Sequence, residues 1–495
     1  MIRTPEQYVE SLNDGRVIYL NGERIPDITK HPHMKGPINR RAAGYRLAND
    51  PEWRDLITME EDGERIMFLW KQPKTAEDLI RRRDVYIDTM RLGGGISGMG
   101  PDALAAATVV ATRMDKQTGT HYTDAIDDYR QHLRETDMAI TGAITDVKGN
   151  RGLRPSAQEQ HQDFYVKVVD RQKDGIVVRG AKMHISDTPG ANEIIVSPCR
   201  AHREEDRDCA LVFATPLNAE GLKLLTSPRF HTEVDEEAQW NWPVSGQSAG
   251  VSECMIVFDD VFVPWNRVFM CGEWEFSRDI AWTFGVFHRL FGTCHKVIST
   301  ELTAGVAALM AEYNGIDRYP HIQEKLAWLA MHAQIIDTMA KAACEHPEIY
   351  HDIGLAAPNL MYCNVAKYMF ANDQFETSKI LCDITGGLVS TVLSYKDWMN
   401  PEERPYLEKY LAGKSGVPTE DRLRAVRMAK DLTDFNHDNV AIHGEGSLAA
   451  QKMAIYAAAD WDRYKAIAKR TGGIPGWENH PDLKELPPLP PEPIL

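Results

Sequence analysis

Residues 146–158 read Asp-Val-Lys-Gly-Asn-Arg-Gly-Leu-Arg-Pro-Ser-Ala-Gln, and the chain changes its pattern at this stretch. Before it, apolar residues recur at helical spacing. After it, runs rich in Val and Ile are separated by Pro, Gly and Asn, as they are between strands. The stretch is polar, basic and rich in glycine, which is typical of a surface loop. Because its Lys, Arg, Ser and Gln side chains can pair with a phosphate or with the polar edge of a ring, a ligand-binding loop is the alternative.

The N-terminal zone, residues 1–144, is predicted to be a mostly helical domain. A short strand is expected at 17–20, between the turn dipeptides Asp14-Gly15 and Asn21-Gly22. The helical patterns of this zone cover 76–92, 102–114 and 122–140.

The middle zone, residues 145–275, is predicted to be a β-barrel or β-sandwich domain. Residues 276–472 are predicted to form a C-terminal helical bundle, and 473–495 a Pro-rich extended tail. The strand patterns cover 164–169, 175–180, 193–196, 210–214 and 254–263, and the long helical patterns cover 284–298, 299–313, 322–344, 360–384 and 448–470. The predicted fold class is therefore α+β, in the order helical domain, β domain, helical bundle.

Composition excludes several classes of partner. The 495 residues carry a formal net charge of -16, which does not fit nucleic-acid binding because that requires clustered cations. No signal-peptide pattern opens the sequence, and no apolar run approaches the roughly 18 residues that span a membrane. Eight scattered cysteines without a C-x-x-C pair are typical of reduced thiols. We therefore expect a cytoplasmic protein without membrane or nucleic-acid partners.

Two glycine motifs match known signatures in their letters but not in their context. Residues 93–98 match G-x-G-x-x-G but follow a helical pattern, so we expect a tight helix-to-helix connection and not a Rossmann loop. Residues 246–250 match G-x-S-x-G, but a strand pattern follows where a serine hydrolase would have a helix.

His288 and His295 lie seven residues apart in a helical pattern, so both rings are expected on one face of the helix. Such a pair can bind a metal or act as acid and base, and it can equally be two buried core residues. No neighbouring carboxylate cluster completes a metal site, so no metal is predicted. His-Gly-Glu-Gly-Ser at 443–447 opens the last helical pattern and predicts an anion site at a helix N-terminus.

Together these features resemble the flavin-dependent family of 4-hydroxyphenylacetate 3-monooxygenases and 4-hydroxybutyryl-CoA dehydratase. The resemblance spans nearly the whole chain and is carried by 4–12, 148–158, 174–182, 258–264, 308–315 and 443–447. It implies a fold like that of acyl-CoA dehydrogenases, with FAD between the β domain and the helical bundle, in a homotetramer. The residues that it places at the cofactor are Lys148, Arg151, Arg154, Ser156, Gln158, His184, Ser186, Thr188, Gly444, Gly446 and Ser447.

The dehydratase branch of this family holds a four-iron, four-sulfur cluster on three Cys and one His. The resemblance places those cysteines at Gly94, Gly98 and His295, and only His288 matches a ligand. Since such clusters need thiolate ligands, no iron–sulfur cluster is expected. The dehydratase's helical tyrosine falls on Gly292 and one of its carboxylates on Val440, although Lys296 remains.

The phenol-hydroxylase branch places an Arg, a Tyr and a His around the substrate hydroxyl, and those positions fall near Met99, Ala103 and Gly142. That set is therefore missing as well. Residues 242–245 and 263–266 nevertheless look more like this branch.

The resemblance thus implies a two-component monooxygenase of aromatic compound metabolism. It uses O2 and FADH2, which a separate flavin reductase supplies, to hydroxylate a phenolic or other aromatic substrate. His288 and His295 are the first candidates for catalysis, with Lys296 and Glu445 after them. Met99, Trp242 and Trp265 are the candidates for the substrate pocket. The alternatives are a cluster-free FAD-dependent acyl-CoA dehydratase, isomerase or dehydrogenase, and a non-enzymatic flavin-binding scaffold.

Overall fold

The computed structural model describes residues 2–227 and 253–487. Its α-helices are α1 Pro5–Ser11, α2 Pro32–Asn49, α3 Arg54–Ile57, α4 Ala76–Arg91, α5 Met99–Thr118, α6 Tyr122–Thr136, α7 Ser277–Tyr313, α8 Pro320–Glu345, α9 Leu360–Thr385, α10 Leu388–Thr391, α11 Tyr395–Met399, α12 Arg404–Tyr410, α13 Thr419–Leu432, α14 Phe435–His443, α15 Leu448–Ala458 and α16 Trp461–Thr471. Its strands are β1 Val17–Leu20, β2 Glu23–Arg24, β3 Thr58–Glu61, β4 Glu64–Met67, β5 Ile140–Ala143, β6 Lys167–Arg171, β7 Gly175–Ser186, β8 Glu193–Val196, β9 Leu211–Pro216, β10 Leu222–Ser227, β11 Glu253–Pro264, β12 Val268–Cys271, β13 Glu348–Tyr350 and β14 Leu355–Ala357.

The predicted order of a helical, a β and a second helical part is confirmed, and the fold is a mixed one. The predicted limits at 144, 275 and 472 stay predictions, because strands of the first zone also join the sheets of the middle one. The G-x-S-x-G motif at 246–250 and Trp242 lie outside the described residues, as does the tail beyond 487.

Two sheets pack face to face in the middle part. One has six strands in the order β2-β1-β10-β11-β7-β6, and the other has four in the order β12-β9-β8-β5. Phe213 on β9 meets Phe258 on β11 edge to face, with ring centroids 5.8 Å apart, and both side chains are buried. The sequence predicted a β-barrel or a β-sandwich. The described strands form a sandwich, because neither sheet closes on itself.

The long helix α7 is the centre of the second helical part. Its 37 residues join the two segments predicted at 284–298 and 299–313 into one helix, which packs against α4, α5, α8 and α9. The predicted segment 448–470, by contrast, is wrong as a single helix. It breaks between α15 and α16, because the side chain of Asp460 accepts a hydrogen bond from the Arg463 amide and starts a new helix there.

The predicted helix 122–140 is also too long. It ends at Thr136, since Asp137 adopts the left-handed conformation at φ 47°, and the chain continues into β5. None of the helices in the described ranges has the length and apolar character needed to cross a membrane.

Candidate active site

Helix α7 brings the two predicted histidines into one row. The ring of Phe284 stacks on that of His288 with centroids 5.0 Å apart. Phe291 lies between the histidines, 5.5 Å from His288 and 4.6 Å from His295. Spacings of three and four residues place these rings on one helix face. The structure therefore brings His288 and His295 together through Phe291, while their catalytic roles stay predictions.

His288 is held by a buried carboxylate that the sequence did not single out. Its Nδ1 lies 3.2 Å from Oδ2 of Asp102, at the start of α5. The other oxygen of Asp102 accepts a hydrogen bond from Nη1 of Arg82 at 3.0 Å, and Nη2 of Arg82 donates to the carbonyls of Leu69 and Lys71. Because a carboxylate accepts hydrogen bonds and donates none, we assign the Nδ1–H tautomer. Nε2 of His288 then has no hydrogen-bond partner among residues 2–227 and 253–487.

The glycine loop at 93–98 connects α4 to α5, as predicted. An ideal Cβ on Gly98 would lie 2.7 Å from the hydroxyl oxygen of Tyr86 and 3.0 Å from Oδ2 of Asp102. Only glycine therefore lets this backbone lie against the carboxylate that holds His288. On the other side of the loop, the amide of Gly95 donates to the carbonyl of Arg40.

Lys296 and Glu445, the two secondary candidates, form an ion pair. Nζ of Lys296 donates to Oε2 of Glu445 at 2.8 Å and to the carbonyl of Gly292 at 2.9 Å. Glu445 has a left-handed backbone, with φ 62°. Burial opposes its ionisation, but neighbouring positive charge, that of Lys296 first, outweighs burial and lowers the pKa of Glu445 to about 2. Glu445 is therefore ionised beside α7.

Two further groups near this pair have lowered pKa values. Burial, followed by the charge of Arg40, lowers the pKa of His295 to about 3, so this ring is neutral and binds a proton weakly. Burial, followed by the charge of Lys296, lowers the pKa of Lys367 to about 7. Lys367 is almost fully buried and donates to the carbonyls of Ala441 and Ile442, at the end of α14.

Within the predicted cofactor loop, three side chains are engaged by the loop and its neighbour. Nε of Arg154 and both the amide and the hydroxyl of Ser156 donate to Asp206. Gln158 accepts from the amide of Asn150 and donates to its carbonyl. These contacts stabilise the loop. Lys148 and Arg151 form no hydrogen bond or ion pair with any residue of 2–227 or 253–487, so their cations are available.

The remaining predicted cofactor residues lie at the ends of β7 and α15. His184 is exposed and has a left-handed backbone at φ 59°, while the hydroxyl of Ser186 donates to Glu253. Thr188 is fully buried and donates to the carbonyl of Ile185. The hydroxyl of Ser447 accepts from the amide of Ala450 and caps α15. Gly444 and Gly446 precede this cap.

The predicted pocket residues separate in the structure. Met99 packs on Gly142, where its Cε lies 3.2 Å from the position of an ideal Cβ. The apolar thioether therefore occupies the place where the resemblance expects polar groups. Trp265 lies at the β6–β7 turn, where its indole N–H donates to the carbonyl of Gln172, and this places it at a sheet edge. This position of Trp265 gives no support to its predicted role in a substrate pocket beside the α7 histidines.

The donor set around α7 does not fit an iron–sulfur cluster. Two of the three cysteine positions are glycines, and the third is the weakly basic His295. Nδ1 of His288 is hydrogen bonded to Asp102. No thiolate is present at any of these positions, and a cluster needs several.

Comparison with known proteins places this architecture in a family. Models described as 4-hydroxyphenylacetate 3-hydroxylase N terminal and C terminal match residues 4–270 and 277–473. The chain therefore belongs to the 4-hydroxyphenylacetate 3-hydroxylase family of flavoproteins with the acyl-CoA dehydrogenase-like fold.

Its relatives within the family carry two different chemistries. The chain is 30% identical to the 4-hydroxybutyryl-CoA dehydratase/vinylacetyl-CoA-Delta-isomerase of Clostridium aminobutyricum, over 96% of this chain and 100% of the relative. It is 32% identical to the 4-hydroxyphenylacetate 3-monooxygenase oxygenase component of Thermus thermophilus, over 88% and 89%. A crystal structure of such an oxygenase component with FAD and 4-hydroxyphenylacetate superimposes with a TM-score of 0.85 at 28% identity, covering 94% of this chain and 98% of that one.

Proposed function

We propose that this protein is the oxygenase component of a two-component monooxygenase, which uses reduced FAD and O2 to hydroxylate a phenolic or other aromatic substrate. The observation that carries the proposal is the buried Asp102–His288 pair beside positions that lack the cluster's thiolates, within a family whose oxygenase components bind FAD. Without thiolates, nothing in this donor set requires exclusion of oxygen.

The residues present fit FAD. Lys148 and Arg151 offer cations that pair with none of the described residues, on a loop that Asp206 stabilises, and His184 presents an exposed ring near the end of β7. These groups would hold phosphates or the polar edge of the ring system. When bound in its reduced form, the flavin supplies the activation of O2, and the protein supplies binding, orientation and exclusion of water.

His288 is proposed as the general base. With Nδ1–H donated to Asp102, its free Nε2 accepts the proton of the substrate hydroxyl, and the resulting phenolate is a stronger carbon nucleophile. Arg82 holds the carboxylate of Asp102 in place through the hydrogen bond from its Nη1. His295 is proposed to contribute a neutral ring surface, since its low pKa makes it a poor base. The Lys296–Glu445 pair is proposed to fix the electrostatic potential of the pocket.

We also propose a homotetramer in the cytoplasm, served by a separate flavin reductase. The helices α15 and α16 expose a row of large apolar side chains that a lone chain leaves in water, including Met453 at 73% and Tyr456 at 68% exposure. Exposed apolar rows of this kind mark protein interfaces. The eight cysteines, none of which is in a disulfide, suit a reducing compartment.

The experiment is hydroxylation under labelled oxygen. We incubate the purified protein with FAD, NADH, an unrelated flavin reductase and a panel of phenols under 18O2. The mass of each product is then measured by mass spectrometry. We expect one 18O atom in the product of at least one phenol. Labelled product from none of them, with FAD bound tightly, contradicts the proposal.

The second candidate is a cluster-free acyl-CoA dehydratase or isomerase. It is favoured by the retained Lys296, paired with Glu445 beside α7, and by the 30% identity to a dehydratase. Anaerobic incubation of the FAD-loaded protein with 4-hydroxybutyryl-CoA and with vinylacetyl-CoA distinguishes the two candidates. Conversion of either thioester without O2 supports this second function.

A further inference from the structure

A pocket lies between α2 and the glycine loop 93–98. The turn after β4 and the residues that lead into β5 form the rest of its wall. Its lining residues, all in the described part of the chain, include none from α7. Met99, Ala103 and Gly142, where the resemblance expects the phenol-binding groups, are not among them either. This pocket is therefore built from other residues than the proposed active site.

The wall of the pocket is mostly apolar and partly aromatic. Its large apolar side chains are those of Tyr45, Met67, Leu69, Trp70, Met138 and Ile140. The ring of Tyr45 is fixed by stacking on Tyr8 at 4.9 Å, and its hydroxyl already donates to the carbonyl of Asp137. Methionine thioethers make favourable contacts with aromatic rings. These surroundings suit a small aromatic molecule.

Two buried donors at this pocket have no acceptor within residues 2–227 and 253–487. Trp70 is only 8% exposed, and its indole N–H forms no hydrogen bond there. Nε of Arg41 is likewise buried and without an acceptor, although Nη2 of the same side chain pairs with Asp187. Because an unpaired buried donor is unfavourable, such groups indicate a place where a bound molecule supplies the acceptor.

A buried carboxyl group lies close to the Trp70 indole. Oδ2 of Asp137 accepts a hydrogen bond from the amide of Arg3 at 3.0 Å, and Oδ1 accepts none from any described residue. Burial raises the pKa of Asp137 to about 6, while the Arg3 amide and the nearby Trp70 indole act in the opposite direction. The apolar pocket therefore offers one donor and one acceptor at neighbouring positions.

The geometry points to a second small-molecule site, in which this pocket binds a neutral phenol between α2 and the glycine loop. The hydroxyl oxygen accepts from the Trp70 indole, and its proton is donated to Asp137. A hydroxyl group suits both partners because one oxygen atom is donor and acceptor at once. The same loop carries Gly98, which lies against Asp102, so the bound phenol contacts the segment beside the proposed base.

The location is tested first on the unaltered protein. Crystals of the protein with oxidised FAD are soaked with 4-bromophenol, which is not turned over without a reductant. We expect anomalous bromine density in the pocket lined by Trp70 and Asp137. Density confined to the surroundings of α7, or no bromine density at all, overturns the inference.

The affinity is measured through Trp70 itself. In deuterated protein with 15N-labelled indoles and oxidised FAD, the Trp70 resonance is the one that Trp70→Phe removes. Trp53→Phe is the matched control, because Trp53 does not line the pocket and its loss should leave the titration unchanged. Phenol should shift the Trp70 resonance to saturation, and benzene, which lacks only the hydroxyl, should bind roughly tenfold more weakly. An unmoved resonance, or equal affinities, contradicts the proposal.

The carboxyl group is tested by Asp137→Asn. Asn tolerates the left-handed backbone of this position, and its amide oxygen is a weaker acceptor than a carboxylate. The preference for phenol over benzene should fall to about threefold or less, with benzene binding unchanged. Asp128→Asn, at an exposed position of α6, should keep the full preference. Unfolding midpoints are compared for both variants, and a full preference in Asp137→Asn would overturn the assignment.

This inference is independent of the proposed function, since none of its measurements requires reduced flavin or turnover. If phenol shifts the Trp70 resonance while no phenol is hydroxylated, the second site stands and the monooxygenase falls. If phenols are hydroxylated and the Trp70 resonance does not move, the monooxygenase stands and the second site falls.

Discussion

The carboxyl group of Glu445 occupies the space that any side chain at Gly292 would need, since an ideal Cβ on Gly292 would lie 1.8 Å from Oε2 of Glu445. The resemblance expects a tyrosine at this helical position. The absence of a tyrosine at position 292 is therefore coupled to the ion pair between Glu445 and Lys296. The Glu445 carboxylate can reach α7 only because residue 292 is a glycine.

Gly292→Ala should consequently expel the Glu445 carboxylate and lower turnover at least about tenfold, with a loss of about 1–3 kcal/mol in the free energy of unfolding from overpacking. Gly305→Ala on the same helix is the control, because nothing lies within 4 Å of its ideal Cβ. That change should raise the free energy of unfolding by about 0.5–1 kcal/mol. Urea denaturation and product assays measure both, and similar behaviour of the two variants would contradict the coupling.

Asp102→Asn should turn its amide NH2 toward His288 and favour the wrong tautomer, lowering turnover roughly a hundredfold. Selective 15N labelling of histidine reports the tautomer directly. Because Arg82 then loses its buried partner, about 3–5 kcal/mol of stability should also be lost. The double variant with Arg82→Met should regain part of that stability but not the activity. Recovery of activity together with stability would mean that Asp102 acts only in folding.

Replacing His288 and replacing His295 should lower hydroxylation to different extents. His288→Gln removes the proposed base and should lower hydroxylation at least about a hundredfold. His295→Gln should keep activity within about threefold, because a ring whose pKa is lowered to about 3 takes little part in proton transfer at neutral pH. Single-turnover rates with FADH2 supplied in excess measure this, and the reverse order would reassign the base to His295.

Lys367 should make stability depend on pH on the alkaline side. Since burial and Lys296 lower its pKa from 10.5 to about 7, the unfolded chain binds more protons than the folded one between these values. The stability linked to this group is present above 10.5 and is lost as the pH falls through 7. From about pH 9.5 to 6.5, the wild type should therefore lose more free energy of unfolding than Lys367→Met. Equal losses in urea titrations would show that Lys367 is not the titrating group.

The exposed row on α15 and α16 should govern assembly. Replacing Met453 and Tyr456 by Glu should convert the proposed tetramer to smaller species by light scattering, because charges cannot be buried in an apolar interface. The double change Arg463→Glu with Lys465→Glu, on exposed polar positions of α16, serves as the control. A monomeric wild type would contradict the proposed assembly.

Local patterns predicted single elements well. The helix expected at 76–92 is α4, Ala76–Arg91, and the strand expected at 193–196 is β8. The buried residues of α4 follow helical spacing, and the four residues of β8 are all buried, as in a strand covered on both faces. The break between α15 and α16 was missed because helical spacing continues across Asp460, and only its capping hydrogen bond reveals the restart.

The site was predictable where its residues lie on one element and unpredictable where they come from several. His288 and His295 follow from helical spacing alone. The contact of His288 with Asp102 joins residues 186 positions apart, and no local pattern marks it. The same holds for Arg154 and Ser156, which the sequence offered to a ligand and which the structure engages with Asp206. Competition from distant charges is the physical reason for both differences.

The pairing of β1 with β10 has a consequence for how the chain is made. Val17 lies beside Lys223 in parallel register, so the edge of β1 that faces away from β2 has no partner until residues 222–227 have left the ribosome. At roughly 5–20 residues per second, this amounts to about 10–40 s of synthesis. During that interval the β1–β2 hairpin presents an unpaired apolar edge, and a chain that stops before residue 222 never covers it.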